Sequence, residues 1–242
     1  MPQFESLLAE TPSDRVSGLE LISVHVPKCA GSSLLNVLER AYGNDRIYRD
    51  YADRLGDPAS PVNFDPDGFF ERAGRSNFSY LSNVRAIHGH FHILKYRNIK
   101  SAFRITFLRD PIDRLISNYF YWPSTPRQGH VLHDYFLDQH LGIYEFARIP
   151  IFRRFYTSTY FAGTDMRQFD FIGFHETLAS DYKRLQKLLN LKDELGVENS
   201  SPSSDYEAQR SVITTDAALM GRLRDLLRDD LKFYEGLRRS AT

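Results

Sequence analysis

The chain has 242 residues, equal numbers of basic and acidic side chains (31 of each) and a single cysteine. The zero net charge excludes a general attraction to nucleic acid, and one cysteine excludes an internal disulfide. No apolar run is long enough to cross a membrane. Residues 1–18 form a polar lead-in without the basic start and apolar run of a signal peptide. We therefore expect a single domain over residues 1–242, located in the cytoplasm.

The first recognisable unit is a strand, a tight loop and a helix. An apolar segment predicts a strand over 21–26, which breaks at Pro27, and apolar residues at helical spacing predict a helix over 33–42 that stops at Gly43. Loop amides at a helix N-terminus bind anions, and Lys28 adds a positive charge. The unit predicts a phosphate site formed by Lys28, Cys29, Ala30, Gly31, Ser32 and Ser33.

This loop differs from two well-known phosphate loops. A Walker A loop ends in Gly-Lys-Ser/Thr, whereas Lys28 precedes the glycine here. A cysteine phosphatase would place an arginine at the position of Leu35. By itself, the loop leaves open an ordinary strand-to-helix turn capped by a serine.

The middle of the chain contains further strands and helices. Residues 44–80 carry turn signals and predict an irregular segment with one short helix at 69–73. A strand is predicted over 84–91, and another over 104–109 leads into a helix over 111–121.

The rest of the chain continues this alternation after a break at 123–130. Residues 131–162 are mostly helical and aromatic, and we expect their aromatic side chains to form core. The remaining predicted segments are a strand over 169–174, a helix over 177–190, a polar loop over 196–205 and a helix near 215–238. The alternation predicts an α/β fold with a mostly parallel central sheet flanked by helices.

A second phosphate site is predicted where the strand over 104–109 ends. Asp110 suits a helix cap and Pro111 the first turn. The Arg109 guanidinium and the Ser117 hydroxyl are candidates to bind the phosphate oxygens. The alternative is structural, with Asp110 and Arg114 forming an ion pair on a solvated helix face.

Three histidines alternate along the predicted strand 84–91 and its end. His88, His90 and His92 would point to one face. One of them could be a general base for a hydroxyl, with an acidic limb near neutrality in the pH profile. A metal site is the second possibility, although residues ~7 Å apart on one strand converge poorly. The third is a hydrogen-bonded core histidine.

At these motifs the chain resembles sulfotransferases that use 3′-phosphoadenosine 5′-phosphosulfate (PAPS). The segment 27–33 resembles their 5′-phosphosulfate loop, and Arg109-Asp110-Pro111 with Arg114 and Ser117-Asn118-Tyr119 resembles their 3′-phosphate motif. Ile87-His88-Gly89-His90-Phe91 is similar to the heparan sulfate 2-O-sulfotransferase branch. The likeness covers roughly 20–122 with specific motifs, and 170–176 and 231–235 are weaker echoes.

The resemblance implies a P-loop-like sulfotransferase fold and transfer of a sulfuryl group from PAPS to a hydroxyl of a carbohydrate. It implies that Lys28 acts on the leaving phosphate and that His90 is the base, with His88 beside it; no metal is expected. A bacterial-type protein without a membrane anchor would fit the sequence. The rival functions are a nucleotide phosphotransferase and a nucleotide-binding module without chemistry. Candidate contacts for an acidic sugar, each equally able to be a surface charge, are Lys95, Arg97, Arg153 and Arg154.

Overall fold

A computed structural model of the protein describes residues 16–74, 78–196 and 205–241. Its centre is a parallel sheet of five strands in the order β2–β3–β1–β4–β5 within this described part. The strands are β1 (Leu21–Val24), β2 (Ile47–Asp50), β3 (Ala86–Gly89), β4 (Phe103–Leu108) and β5 (Phe171–Phe174). The α/β fold with a parallel central sheet flanked by helices is confirmed.

The helices connect and cover these strands. They are α1 (Gly31–Tyr42), α2 (Pro61–Phe64), α3 (Pro66–Gly74), α4 (Pro111–Tyr121), α5 (Val131–Gln139), α6 (Ile143–Arg148), α7 (Pro150–Arg153), α8 (Leu178–Leu188), α9 (Tyr206–Thr215), α10 (Ala217–Leu226) and α11 (Arg228–Ala241). One π-helical segment, Phe155–Tyr160, follows α7. None of the helices in the described ranges is both long and apolar enough to span a membrane.

The sheet is covered on both faces. Every residue of β1 and of β3 is buried, which is typical of central parallel strands read as continuous apolar runs. The carboxyl ends of parallel strands meet at one edge, where ligands of such sheets usually bind. The segments that follow β1, β3 and β4 therefore lie side by side and bring together the predicted site residues.

The region 44–80 is more regular than its sequence suggests. It contains β2, which the sequence analysis missed, together with α2 and α3. The missed strand lies at the edge of the sheet, where it pairs with β3. Because it is only four residues long, its apolar pattern is too short to identify from the sequence.

The C-terminal prediction was also wrong in part. The single helix expected near 215–238 is divided into α10 and α11 at Leu227, and Asp216 caps α10 directly after a further helix, α9. The predicted polar loop over 196–205 and the lead-in over 1–18 lie mainly outside the described residues.

Candidate functional site

The loop between β1 and α1 has an unusual backbone. Lys28 and Ala30 have φ angles of 67° and 66°, a left-handed conformation that costs a non-glycine residue roughly 1–2 kcal/mol. Helix α1 begins at Gly31, after Ala30, and no serine side chain caps it. The ordinary serine-capped turn is therefore wrong, and backbone strain of this kind is characteristic of functional loops.

The two predicted phosphate motifs meet in space. The Lys28 ammonium lies 3.9 Å from the centre of the Tyr121 ring on α4, and Arg109 Nη1 lies 3.4 Å from the Lys28 carbonyl oxygen. Ser117 is one helical turn before Tyr121 and shares its side of α4. The structure thus brings Lys28, Arg109 and the Ser117 face of α4 to one place.

Electrostatics at this place favour an anion. Burial and the neighbouring Arg109 guanidinium lower the pKa of Lys28 to about 8. Two cations that repel each other in a half-buried site are stabilised by a negative group between them. The Lys28–Arg109 pair therefore has the charge and position to hold a polyanionic ligand.

Arg109 is braced by a residue that the sequence analysis treated only as core. The Tyr156 hydroxyl donates to the Arg109 carbonyl at 2.6 Å and accepts from the Arg109 amide at 3.2 Å. The Tyr156 amide in turn donates to Asp230 on α11 at 2.9 Å. This chain of hydrogen bonds connects the segment that follows β4 to α11.

Asp110 and Arg114 do not form the surface ion pair that was considered. Asp110 caps α4 by accepting from the amides of Ile112 and Asp113, as predicted. Arg114 is fully buried, and its guanidinium carbon lies 3.8 Å from the centre of the Phe155 ring. The six aromatic residues considered as core are all buried, which confirms that reading: Phe146, Phe152, Phe155, Tyr156, Tyr160 and Phe161.

Cys29 fills space beneath the loop. Its side chain is buried and Sγ lies 3.8 Å from the Tyr156 hydroxyl. Burial raises the pKa of the thiol to about 11, so the thiol is protonated at neutral pH and is a poor nucleophile.

The three histidines do not all share one strand face, because β3 ends at Gly89. His88 is buried within β3, its Nδ1 lies 2.9 Å from Ser23 Oγ, and burial lowers its pKa to about 3. His90 follows the strand; burial lowers its pKa to about 4, and its Nε2 has no hydrogen-bond partner within the described residues. His92 diverges from both: its Nδ1 accepts from the Leu94 amide and its ring packs on Phe70.

A fourth histidine, which the sequence analysis missed, lies beside them. The His25 ring centre is 4.5 Å from that of His90 and 5.0 Å from that of His88. Its Nδ1 lies 3.4 Å from the hydroxyl of Tyr51, which directly follows β2. The available signal was its position just after β1, at the same sheet edge as Lys28.

Lys95 is not a candidate sugar contact. Its ammonium is 2.7 Å from an Asp50 oxygen and 2.9 Å from an Asp53 oxygen, and both carboxylates are buried. Arg154 pairs with Asp229 at the surface.

In the part of the chain that the structure describes, no group of three or more His, Cys, Asp or Glu side chains is arranged to hold a metal ion. Metal independence stays a prediction.

Comparison with solved structures gives distant likenesses. A sulfotransferase from Alicyclobacillus acidocaldarius is 15% identical, with a TM-score of 0.37, and the match covers 87% of this chain and 96% of that one. Mouse sulfotransferase SULT7A1, complexed with PAP, is 14% identical over 82% of this chain and 64% of its own, with a TM-score of 0.33. Retinol dehydratase, in a complex with retinol and PAP, is 12% identical over 88% and 81%, with a TM-score of 0.38.

The family itself is established by sequence. A comparison with curated protein sequences finds no significant match. The model of the Sulfotransferase family, however, matches residues 17–235, a range that contains both phosphate motifs and all the histidines discussed above. The chain therefore belongs to the sulfotransferase family, and the prediction that it is a sulfotransferase is confirmed.

Proposed function

We propose that this sulfotransferase moves the sulfuryl group of PAPS to a hydroxyl of a carbohydrate. The observation that carries the proposal is the meeting of Lys28 and Arg109, two mutually repelling cations at the carboxyl edge of the sheet. PAPS carries anionic groups at both its 5′ and 3′ positions, so it can engage both cations at once. A nucleotide with a 5′-phosphate alone engages only one.

The donor contacts follow from this arrangement. The amides of the loop from Cys29 to Ser33 bind the 5′-phosphate at the N-terminus of α1. Lys28 neutralises the charge that develops on the leaving phosphate oxygen. Arg109 and Ser117 bind the 3′-phosphate, and the guanidinium fork suits its oxygens.

The acceptor side is assigned to the histidines. Since burial keeps the pKa of His90 well below neutrality, its imidazole is neutral at pH 7 and able to take the acceptor proton. We assign that proton to His90 Nε2, which has no hydrogen-bond partner within the described residues, as is also true of Nε2 in His88 and His92. His88 is deeper and hydrogen-bonded to Ser23, so we assign it the supporting place beside the base.

The carbohydrate acceptor rests on the His-Gly-His segment, which is similar to the heparan sulfate 2-O-sulfotransferase branch. Tyr51, at the edge of the site and partly exposed, offers a flat ring of the kind that sugars pack against. The cytoplasmic location expected from the sequence stays a prediction.

Nucleotide-dependent melting tests the donor. The product nucleotide 3′-phosphoadenosine 5′-phosphate (PAP) is expected to raise the melting temperature by linkage to the folded state, and adenosine 5′-phosphate much less. PAPS and ATP are then compared as donors with desulfated heparan sulfate as acceptor. Equal melting shifts from PAP and adenosine 5′-phosphate would contradict the assignment of Arg109 and Ser117 to the 3′-phosphate. Transfer from ATP would favour a phosphotransferase.

A further inference from the structure

His25 occupies the space between the two sides of the proposed reaction. A Cβ built on Gly31 would lie 1.8 Å from His25 Cδ2 and 2.1 Å from its Nε2. This edge of the imidazole therefore lies directly against the loop over 27–33, which we call the anion loop. The opposite neighbours are the rings of His90 and His88. His25 therefore touches both the loop assigned to the donor and the base assigned to the acceptor.

The contact between His25 Nδ1 and the Tyr51 hydroxyl is compatible with the tautomer of His25 that carries its proton on Nε2. Burial raises the pKa of the Tyr51 hydroxyl to about 12, so this hydroxyl keeps its proton and can donate to Nδ1 at 3.4 Å. Burial, together with His90, His88 and Lys28, holds the pKa of His25 well below its usual value. In a neutral imidazole whose Nδ1 accepts, the proton is on Nε2, which is the nitrogen beside Gly31.

We propose that His25 is a further catalytic residue, whose Nε2–H donates a hydrogen bond to an oxygen of the sulfuryl group as it passes from the Lys28 side to the His90 side. This inference rests on the proposed function. During transfer the bond between sulfur and the leaving phosphate oxygen breaks, the bond to the acceptor oxygen forms, and the acceptor proton goes to His90. No proton is exchanged with His25.

A neutral donor suits this position. A third full positive charge beside Lys28 and Arg109 would bind the nucleotide more tightly before and after transfer alike, without favouring the transition state. A fixed N–H donor that meets the sulfuryl oxygens in transit favours the transition state, and removing one such donor typically costs about 10²–10³ in turnover. His25 should consequently affect turnover much more than the binding of PAP, which has no sulfuryl group.

The test uses the full chain and three substitutions. His25→Leu removes the donor, His25→Gln keeps an N–H of similar reach, and His140→Gln is the matched control at an exposed histidine. The rate is PAP release from PAPS in the presence of desulfated heparan sulfate. PAP binding is measured by calorimetry, and the rate is followed across pH.

We expect His25→Leu to lose about 10²–10³ in turnover, with PAP affinity close to that of the parent. His25→Gln should recover much of the loss, and the control should match the parent. The acidic limb that belongs to His90 should remain in His25→Leu, because the other titrating groups shown near His90, namely His88 and Tyr51, are unchanged.

Parent-like turnover in His25→Leu would overturn the inference. A loss of PAP affinity equal to the loss of turnover would make the role structural, and a vanished acidic limb would make His25 the base; either outcome also overturns it. If the parent binds PAP but releases none from PAPS, the proposed function fails first and this inference with it.

Discussion

Replacing Gly31 by alanine tests the contact between the anion loop and the histidines. The new Cβ would lie 1.8 Å from His25 Cδ2, whereas ordinary contacts begin at 3.4 Å, so the ring must retreat by the difference, about 1.6 Å. The rings of His88 and His90 lie behind it at 5.0 and 4.5 Å between centres. Overpacking of this kind costs about 1–3 kcal/mol, which lowers the melting temperature of a chain of this size by roughly 2–12 °C.

The assay is thermal unfolding of the variant beside a matched control. Gly221→Ala introduces the same methyl inside α10, where nothing lies within 4 Å of it, and should stabilise by about 0.5–1 kcal/mol through helix propensity. In a His25→Ala background the space above Gly31 is open, so adding Gly31→Ala should cost little, and the two changes should be strongly non-additive. A Gly31→Ala variant that melts like the parent, or an equal cost in both backgrounds, would refute the packing described here.

Three further predictions concern the groups around the loop. PAP affinity should fall as pH rises through about 8, because the lowered pKa of Lys28 places its loss of charge there; Lys28→Arg should flatten this dependence in calorimetric titrations, and a flat parent profile would contradict it. His90→Ala should lower turnover by roughly two to four orders of magnitude while sparing PAP binding, and the acidic limb of kcat/KM should lie near pH 4 in the parent and vanish in the variant; a limb near neutrality that persists would point to another base. Cys29→Ser should keep most of the activity in rate assays, since the buried thiol is neutral, and complete loss with the fold intact would revive a covalent mechanism.

The phosphate motifs and their convergence were predictable from the sequence. Apolar strands followed by small or capping residues identify β1 with Lys28 and β4 with Arg109, and the shared edge of a parallel sheet brings their ends together. The position of the acidic limb could not be predicted from the sequence in the same way, because burial by residues distant in sequence lowers the pKa of His90 to about 4. The limb expected near neutrality from the sequence is therefore expected at lower pH from the structure.

The missed features depend on contacts that no local pattern encodes. Strand β2 is recognisable only from its neighbour: a Cβ on Gly89 would lie 1.9 Å from the Asp50 carbonyl oxygen, so the glycine of His-Gly-His permits the close approach of an edge strand. With β2 missed, Tyr51 had no expected place. The role of His25 follows from that same assembly, since its partners come from three separate segments.

The hydrogen bonds from Arg109 through Tyr156 to Asp230 have a consequence for when the site can fold during synthesis. Both phosphate motifs lie in the first half of the chain, yet the Tyr156 that holds Arg109 is itself fixed by Asp230, and Glu176, which accepts from the Asp110 amide, also accepts from the Tyr234 hydroxyl. When the chain has emerged from the ribosome only as far as α4, both segments proposed to bind the nucleotide are therefore exposed without the contacts that order them. Ribosome-bound chains stalled before Asp230 has emerged should not be retained by immobilised PAP. Chains long enough for Tyr234 to have emerged should be retained.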